Sequence, residues 1–489
     1  MRYVLGVDFG GGAGKATLLS AEGEVVAAAA AEYPTAYGEG GMAEQDPRDW
    51  YRAACANIRS VLSRANVRGE EVACVCFDAA THTAVLLDEE FRILRNAIYW
   101  TDTRSRRQAE RLQRECGEDI FRRFKHRPDT IWTLPQLMWV KENEPAVWAR
   151  TKRILFAKDY VRHCFTGDFV TDRIEAQGSM LCDYDEGCWS APYLAMLGLA
   201  EENLPRLMRP LDMAGKVLPQ AAAESGLAAG TPVICGATDT AMEVFAAGAV
   251  KKGDMTVKLA TAGRICLVTD TLVADEQLVS YSHVAEGLYY PGTATKSCAA
   301  SLRWFRDTFG GDYAAFDEMA EKIPAGSGGL QFHPYLNGEL TPYGDPALRG
   351  GFTGISAAHT KAHFARAVME GVALSLKDCL CYLKGKGYPV SDTAVIIGGG
   401  AKSALWRQIA ADALGMKLVT VQNSDSSFGA AMCAGVAAGF FSSLRAAAER
   451  CCRQTGAVEP IEANAAVYEK LYPRYKKTAA FFGSLAHEG

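Results

Sequence analysis

The same strand–turn–strand pattern opens each half of this chain. The first copy is an apolar strand at Tyr3–Asp8, the small-residue loop FGGGAGK and a returning apolar run at Ala16–Leu19. The second copy is MTVKL at Met255–Leu259, the loop ATAGR and a returning run at Ile265–Val268. The letters of the two copies are not alike, but the order of their elements is the same. This recurrence predicts an internal structural repeat.

The length of the chain supports two domains. Its 489 residues exceed what one hydrophobic core usually serves, since cores stop growing at about 250–300 residues. An apolar content of 49% with 22% charged residues is typical of folded soluble proteins. The composition changes at Lys251–Asp254 (KKGD), and we therefore predict domains at residues 1–250 and 251–489.

Composition also disfavours several classes of partner. The net charge is −5 with acids and bases interspersed, which argues against nucleic acid and anionic membranes. No apolar run approaches the ~20 residues of a membrane span, and the N-terminus enters a strand without the apolar region of a signal peptide. The 15 cysteines include no Cys-x-x-Cys pair and are interpreted as buried, reduced thiols. We therefore expect a cytoplasmic protein.

The first loop has glycine at four of the five positions from Gly10 to Gly14. It is not a Walker loop, because Phe9 stands where that motif needs its first glycine and Lys15 is followed by alanine. It is not a dinucleotide fingerprint, because a strand rather than a helix follows. The backbone of a glycine-rich hairpin can approach a phosphate closely, with Asp8 and Lys15 beside it. This composition favours a phosphate loop over the alternative, a hairpin without a ligand.

A second segment, Thr231–Asp254, places an acid between a strand and a helix. An apolar run at Pro232–Cys235 breaks at Gly236, and Asp239 precedes the small-residue segment Ala241–Val250. A carboxylate at that position can accept a proton from a bound hydroxyl. The alternative is a helix N-cap, for which Asp is a favoured residue.

Other segments have patterns that predict local structure. Pro47–Ala65 has the apolar spacing of a helix with one buried face. Ala394–Ile397 predicts a strand that leads through a glycine loop into a helix with Ser403 as its cap. The strand at Val72–Phe77 is expected to deliver the loop Asp78–His82. Taken alone, the later glycine loop is best interpreted as a plain βα turn. A nucleotide held between paired domains accounts for both hairpins and this loop together.

Three further segments have less specific patterns, and each receives a general structural interpretation. Asp102 and Arg104 end an apolar run, and a plain ion pair is the alternative to a role in binding. Pro135–Phe165 is interpreted as a helical insertion. Leu204–Leu218 has the polar and proline content of a surface crossover.

Taken in order, these segments resemble the FGGY carbohydrate kinases, and within that family the xylulokinases. The similarity runs nearly end to end, and the ordered set is specific although each segment alone is weak. The matching segments are Leu5–Lys15, Glu44–Trp50, His82–Asp88, Trp100–Arg104, Pro135–Trp139, Lys158–Asp159, Gly236–Asp239, Ala260–Gly263, Gly351–Glu370 and Gly398–Asp412. The resemblance implies an α/β, actin/hexokinase-like (ribonuclease H-like), duplicated two-domain fold with an interdomain cleft.

The resemblance also implies roles for individual residues. Asp239 would be the base that deprotonates the sugar hydroxyl, and Asp8 would hold Mg²⁺ through water. The residues implied to line the phosphates of ATP are Gly10, Gly11, Gly12, Lys15, Thr261 and Gly263. Those implied to lie beside the nucleoside are Gly399, Gly400 and Ser403. Those implied to contact the sugar are Thr81, His82, Asp102, Arg104 and Thr240.

The chain departs from the family pattern in both phosphate hairpins and in the sugar loop. Each hydroxyl missing from a hairpin removes a hydrogen bond to charged phosphate worth ~1.5–3 kcal/mol, unless backbone or water replaces it. The residues that stand where the family has Thr or Ser are Gly11, Gly12, Ala13 and Ala262. Near the sugar, Ala80-Thr81-His82 replaces the usual Gln-Met-His, Thr240 replaces Asn and Gln136 replaces a lysine.

The activity implied is phosphoryl transfer from ATP, with Mg²⁺, to a hydroxyl of a ketose (D-xylulose favoured) or a related polyol. The alternative, suggested by the missing hydroxyls, is a nucleotide-binding regulatory protein on the same fold with weak or no turnover. A third hypothesis is an actin-like ATPase. Asp8 and Asp239 together favour the enzyme, because a binding-only protein has little need of a base. The expected partner is a small-molecule sugar or polyol, and a homodimer is left open.

Overall fold

The structure, a computed structural model, describes residues 2–272 and 274–488. Fourteen strands lie before residue 250, with bounds β1 (Tyr3–Phe9), β2 (Ala13–Ser20), β3 (Val25–Glu32), β4 (Ala36–Gly38), β5 (Met42–Gln45), β6 (Val72–Ala79), β7 (Ala84–Leu87), β8 (Ala97–Ile98), β9 (Arg153–Phe156), β10 (Val170–Asp172), β11 (Arg206–Met208), β12 (Met213–Lys216), β13 (Pro232–Ile234) and β14 (Ala237–Thr238). The later strands are β15 (Met255–Leu259), β16 (Gly263–Leu267), β17 (Val279–Ser282), β18 (Tyr289–Gly292), β19 (Gln331–His333), β20 (Gly351–Thr353), β21 (Thr393–Ile397), β22 (Lys417–Val421) and β23 (Gln454–Val458).

Sixteen α-helices occur among the described residues. Their bounds are α1 (Pro47–Ala65), α2 (Arg106–Phe124), α3 (Thr133–Asn143), α4 (Pro145–Arg150), α5 (Ala157–Thr166), α6 (Arg173–Gly178), α7 (Ala191–Leu197), α8 (Pro219–Ser225), α9 (Asp239–Ala246), α10 (Ala299–Phe309), α11 (Tyr313–Glu321), α12 (Lys361–Gly385), α13 (Ala404–Leu414), α14 (Ser426–Ala437), α15 (Leu444–Cys451) and α16 (Glu462–Ala486). Within the described ranges, no helix is both long enough and apolar enough to cross a membrane.

Two seven-stranded sheets form the frame of the molecule, and they share a pattern of pairing. The first has the order β12-β13-β6-β1-β2-β3, with β14 also paired to β6. The second has the order β17-β18-β16-β15-β21-β22-β23. In each, the opening strand pairs antiparallel with its hairpin partner and parallel with a strand from much later in the chain. The predicted internal repeat is therefore present as a repeat of topology.

The local predictions from periodicity are confirmed in the first hairpin and in α1. The β1–β2 ladder runs from Tyr3 paired with Ser20 to Phe9 paired with Gly14. Helix α1 has the predicted bounds, and the face on which Trp50 and Ile58 lie is buried. All fifteen cysteines are free thiols. Ten of them are buried as predicted, whereas Cys188 and Cys381 are exposed.

Helix α14 lies on the sheet of the first half although it follows residue 425. Its backbone approaches β1 so closely that a Cβ at Gly6 would lie 2.0 Å from the carbonyl oxygen of Ser427 and 2.3 Å from the amide of Ala431. Thr17 Oγ1 and Ser427 Oγ are joined by a hydrogen bond of 2.7 Å. The division at residue 250 thus remains a proposal, because a late segment completes the early core.

Three sequence interpretations need correction. Leu204–Leu218 contains strands β11 and β12 rather than only a crossover, and β12 is an edge strand of the first sheet. Pro135–Phe165 contains strand β9 between its helices. Asp78 belongs to the end of β6 rather than to a loop. Periodicity missed the three short strands β9, β11 and β12, because pairing with other strands rather than their own residue pattern defines them.

Candidate active site

Three strand ends bring acidic residues to one edge of the first sheet. Asp8, near the end of β1, is paired in register with Asp78 at the end of β6. On the other side of β6, β14 pairs with that same end and leads directly into α9, whose first residue is Asp239. The edge formed by the carboxyl ends of parallel strands is where open α/β sheets bind ligands.

Asp8 and Asp78 are deeply buried, and their carboxyl groups face each other. Asp8 is 4% exposed and Asp78 is 0% exposed. Burial raises the pKa of Asp8 to about 7, although the contact with Asp78 works against that rise. Burial and the charge of Asp8 raise the pKa of Asp78 well above its usual range. Apart from this contact between the two acids, no described residue donates a hydrogen bond to Asp8 Oδ1 or to either oxygen of Asp78.

Asp239 is half-buried, and no described donor reaches its second carboxylate oxygen. Its Oδ1 accepts the Thr240 N–H at 2.6 Å and the Thr240 hydroxyl at 3.2 Å. Burial raises the pKa of Asp239, and the positive charge of Lys258 partly offsets the rise. Thr238 occupies the N-cap position, so the N-cap interpretation of Asp239 is wrong.

The second half contributes two cations to the surroundings of Asp239. Lys258 Nζ lies 2.6 Å from Glu243 Oε2, one turn after Asp239 on α9. Arg264 is paired in register with Lys258 across the β15–β16 hairpin. Its Nε and Nη2 are buried without a hydrogen-bond partner in the described part of the chain, and its charge also lowers the pKa of Asp239.

Hydrogen bonds hold the tip of the first hairpin in place and leave two of its backbone amides without a described partner. The Gly10 N–H donates to the Ala13 carbonyl at 3.1 Å and closes the turn, while the Gly11 carbonyl accepts a hydrogen bond from Gln45 at 2.9 Å. Gly11 and Gly12 are exposed, and neither of their amides donates to a described residue. Two amides of this tip can therefore face an anion.

Lys15 lies at the rim of this region and is tied to the second half. Its Nζ is 2.6 Å from Asp425 Oδ2, with side-chain exposures of 47% and 33%. Asp425 caps α14 by accepting the Ser427 N–H at 3.1 Å. Lys15 is thus available near the hairpin, but in this conformation its charge is paired.

The second hairpin and the later glycine loop differ in how accessible their backbone is to a ligand. Gly263 is buried and its N–H donates to Thr295 Oγ1 at 3.0 Å, so that amide is used within the protein. Thr261 lies at the exposed tip. Gly399 is exposed, with open space where a Cβ would project, whereas Gly400 packs on Leu259.

The predicted cap is confirmed: Ser403 Oγ accepts the Trp406 N–H at 3.0 Å. That bond is structural, because it satisfies an amide at the start of α13. The placement of Gly399, Gly400 and Ser403 beside a nucleoside remains a prediction.

His82 is held between the two halves. The ring Nε2 of His82 is 2.8 Å from the Tyr281 hydroxyl, and its backbone N–H donates to Glu175 Oε1 at 2.9 Å. The imidazole ring meets Trp132 edge-on, with centroids 4.6 Å apart. Burial lowers the pKa of His82 to about 3. The imidazole is therefore neutral, and Thr81 beside it is half-buried.

Asp102 and Arg104 form an ion pair. Arg104 Nη2 lies 2.7 Å from Asp102 Oδ2, and Glu44 lies 2.8 Å from Arg104 Nη1. The Ala43 N–H also donates to Asp102, and both side chains are almost fully buried. The ion-pair alternative is thus the observed arrangement, and no contact of either residue with Asp239 supports the sugar-binding assignment.

Sequence reasoning missed several charged residues near Asp8 or Asp239, namely Asp78, Glu243, Lys258, Arg264 and Asp425. One signal was available for Asp78, because VACVCFD ends an apolar strand in an acid just as YVLGVD does. Glu243 lies one turn after Asp239 on the same helix, so helical spacing was a signal for it as well. Lys258, Arg264 and Asp425 reach the site from the second half, which spacing along the chain does not reveal.

The fold and this edge of carboxylates beside glycine-rich hairpins define the class: an actin/hexokinase-like phosphotransferase. The model of the N-terminal domain of the FGGY family of carbohydrate kinases matches residues 3–246, and that of the C-terminal domain matches residues 265–438. The chain belongs to the FGGY family of carbohydrate kinases.

Individual relatives show which carbohydrate kinases within the family the chain resembles. A xylulose kinase of Bacillus subtilis is 33% identical over 482 residues, covering 97% of this chain and 96% of the relative. The crystal structure of xylulose kinase from Rhodospirillum rubrum superposes with a TM-score of 0.91 at 28% identity, covering 100% of both chains. That of gluconate kinase from Lactobacillus acidophilus gives a TM-score of 0.92 at 25% identity, covering 99% and 98%. The protein is a xylulokinase-like carbohydrate kinase.

Proposed function

We propose that the protein transfers the γ-phosphoryl group of MgATP to a hydroxyl of D-xylulose or a related ketose or polyol. Asp239 is the general base in this proposal. The observation that supports it best is the half-buried Asp239 carboxylate, with Oδ1 held by Thr240 and Oδ2 free of described donors. A fixed carboxylate with one open oxygen suits removal of a hydroxyl proton during transfer.

Asp8 is the proposed residue for Mg²⁺. Its Oδ1 is buried without a donor from the described residues, and carboxylate oxygen is the ligand that Mg²⁺ prefers in proteins. The residues present therefore fit the ion. When bound, Mg²⁺ would neutralise negative charge on the phosphates.

The glycine-rich tips contribute backbone rather than side chains to the phosphates. The free amides of Gly11 and Gly12 and the exposed tip at Thr261 are the proposed contacts. Amides can replace the hydroxyls that this chain lacks, because donors to charged phosphate form stronger hydrogen bonds than neutral pairs. Lys15 joins them if its pairing with Asp425 opens.

The acceptor sugar is proposed to lie between Asp239 and His82. His82, fixed by Tyr281 and Glu175, and Thr81 form the opposite wall. The relatives named as xylulose kinases favour D-xylulose, and a cleft closed by contacts between the halves would exclude water as acceptor. Neither the relatives nor the described residues favour the binding-only alternative.

The experiment is ADP release from MgATP with D-xylulose, ribulose, gluconate, fuculose and erythritol, in the wild type and in Asp239→Asn. We expect one sugar to stimulate release strongly. We expect Asp239→Asn to lower kcat by about 10²–10⁴ while nucleotide affinity, measured by calorimetry, stays within about twofold.

Near-normal turnover of Asp239→Asn would exclude Asp239 as the base. Nucleotide binding without a response to any sugar would instead favour the regulatory alternative. Release of ADP that is indifferent to every sugar would favour an ATPase.

A further inference from the structure

Asp78 is a fully buried carboxyl group for which the proposed mechanism has no use. It is 0% exposed, and neither of its oxygens accepts a hydrogen bond from a described donor. It lies in register with Asp8 on the adjacent parallel strand, so both side chains leave the sheet on the same face. A buried carboxyl group whose neighbour is another carboxyl group is costly to ionise unless a cation accompanies it.

Two lysines of the site are paired with other acids. Lys15, paired in register with Asp8 from β2, has its Nζ 2.6 Å from Asp425. Lys258 has its Nζ 2.6 Å from Glu243. The facing pair Asp8 and Asp78 therefore lacks a protein counter-charge within ion-pair distance in the part of the chain that the structure describes.

We propose that Asp78 is a second carboxylate ligand, with Asp8, for the divalent cation that accompanies the nucleotide. Two strand-end carboxylates with three donor-free oxygens between them provide hard oxygen ligands for that ion. Magnesium sites built from one or two carboxylates plus phosphates are the usual form in phosphoryl-transfer enzymes. This inference rests on the proposed function, because it assigns a residue to the metal that function requires.

A purely structural Asp78 would behave differently from a metal ligand. As a structural group it would stabilise the fold whether or not a cation is present. As a ligand beside Asp8 it adds no stability to the metal-free protein, since two buried carboxyl groups in contact cannot both ionise without cost. Replacement by the isosteric amide therefore separates the two roles.

The test is Mn²⁺ binding to the full-length, nucleotide-free protein, measured by the electron paramagnetic resonance of free Mn²⁺. Four proteins are compared: the wild type, Asp78→Asn, Asp8→Asn and Asp183→Asn. Asp183 is a matched control because it is 3% exposed and is held by Arg123 at 3.0 Å rather than by the cleft. We expect Mn²⁺ affinity to fall at least tenfold in Asp78→Asn and in Asp8→Asn, and to be unchanged in Asp183→Asn.

Thermal melting supplies the second readout. We expect metal-free Asp78→Asn to melt no lower than the wild type and to lose the rise in melting temperature that Mn²⁺ gives the wild type. Mn²⁺ affinity within twofold of the wild type in Asp78→Asn would overturn the proposal. So would a lowered metal-free melting temperature with an intact Mn²⁺-dependent rise.

Should Asp78→Asn fail to fold, the wild type decides the question. Crystals soaked in Mn²⁺ are expected to show an anomalous peak within inner-shell distance, on the order of 2 Å, of oxygens from both Asp8 and Asp78. A peak bonded to Asp8 alone would overturn the proposal.

These readouts do not depend on sugar turnover. Loss of Mn²⁺ binding in Asp78→Asn without sugar-dependent ADP release in the wild type would support the metal site and contradict the proposed function. Sugar-dependent ADP release in the wild type with unchanged Mn²⁺ binding in Asp78→Asn would support the proposed function and contradict the metal site.

Discussion

At the residue scale, the proton affinity of Asp239 is a balance between burial and nearby cations. Burial raises its pKa, and Lys258 provides the largest opposing effect. Lys258 also pairs with Glu243 on the same helix as Asp239. The pKa of Asp239, the proposed base, is thus set partly by a lysine that comes from the other sheet.

This balance predicts the effect of Lys258→Gln. Removal of the positive charge should raise the pKa of Asp239 further. Since Asp239 must be ionised to accept a proton, the acidic limb of kcat/KM should move to higher pH while the high-pH plateau changes less. A pH–rate profile with the preferred sugar measures the shift.

The double variant Lys258→Gln/Glu243→Gln is the control, because it removes the lysine without leaving Glu243 unpaired. We expect its acidic limb to lie between those of the wild type and the single variant. An unmoved limb in Lys258→Gln would contradict the assignment of Asp239 as the titrating base.

At the element scale, the packing of α14 on β1 joins the end of the chain to its beginning. The two elements touch through backbone at Gly6, where a Cβ would lie 2.0 Å from the Ser427 carbonyl oxygen. Ser427 is the second residue of α14, and Asp425 caps that helix beside Lys15. This contact therefore places the start of α14 at the candidate site.

Gly6→Ala should accordingly destabilise the protein by about 3 kcal/mol or more, since overpacking against rigid backbone cannot be relieved by a rotamer change. Equilibrium unfolding in urea measures the loss. Gly385→Ala is the matched control, because nothing lies within 4 Å of a Cβ at that position. Equal stability of the two variants would show that α14 can move away from β1 at little cost.

At the scale of the whole molecule, buried histidines lie at the contact between the halves. His126 is 3% exposed, stacks on Trp132 with centroids 4.5 Å apart and lies 5.6 Å from the ring of Tyr281. Burial lowers its pKa to about 3. The folded protein therefore keeps this imidazole neutral at a pH where the unfolded chain protonates it.

The sign of the resulting pH dependence follows from linkage. The contribution of His126 is fully present above its unfolded pKa, near 6.5, and is lost as the pH falls toward 3. Between pH 6 and 5 the wild type should lose on the order of 1 kcal/mol more unfolding free energy than His126→Phe. Urea unfolding of both proteins at several pH values measures this difference. Parallel curves would contradict it.

The sequence by itself determined the elements whose cause is local. The β1–β2 hairpin, the buried face of α1, the Ser403 cap and the acid at the start of α9 follow from periodicity, glycine placement and capping chemistry. These depend on residues within a few positions of one another, so spacing along the chain is enough to predict them.

Only the tertiary structure decided which charges meet. Asp8 faces Asp78 because β1 and β6 pair in parallel, and Lys15 meets Asp425 because α14 returns to the first sheet. Asp102 forms an ion pair with Arg104 and accepts the Ala43 N–H rather than facing the cleft. Most of these partners lie tens to hundreds of residues apart. Their contacts are fixed by strand order and by the packing of the two halves, which no local pattern encodes.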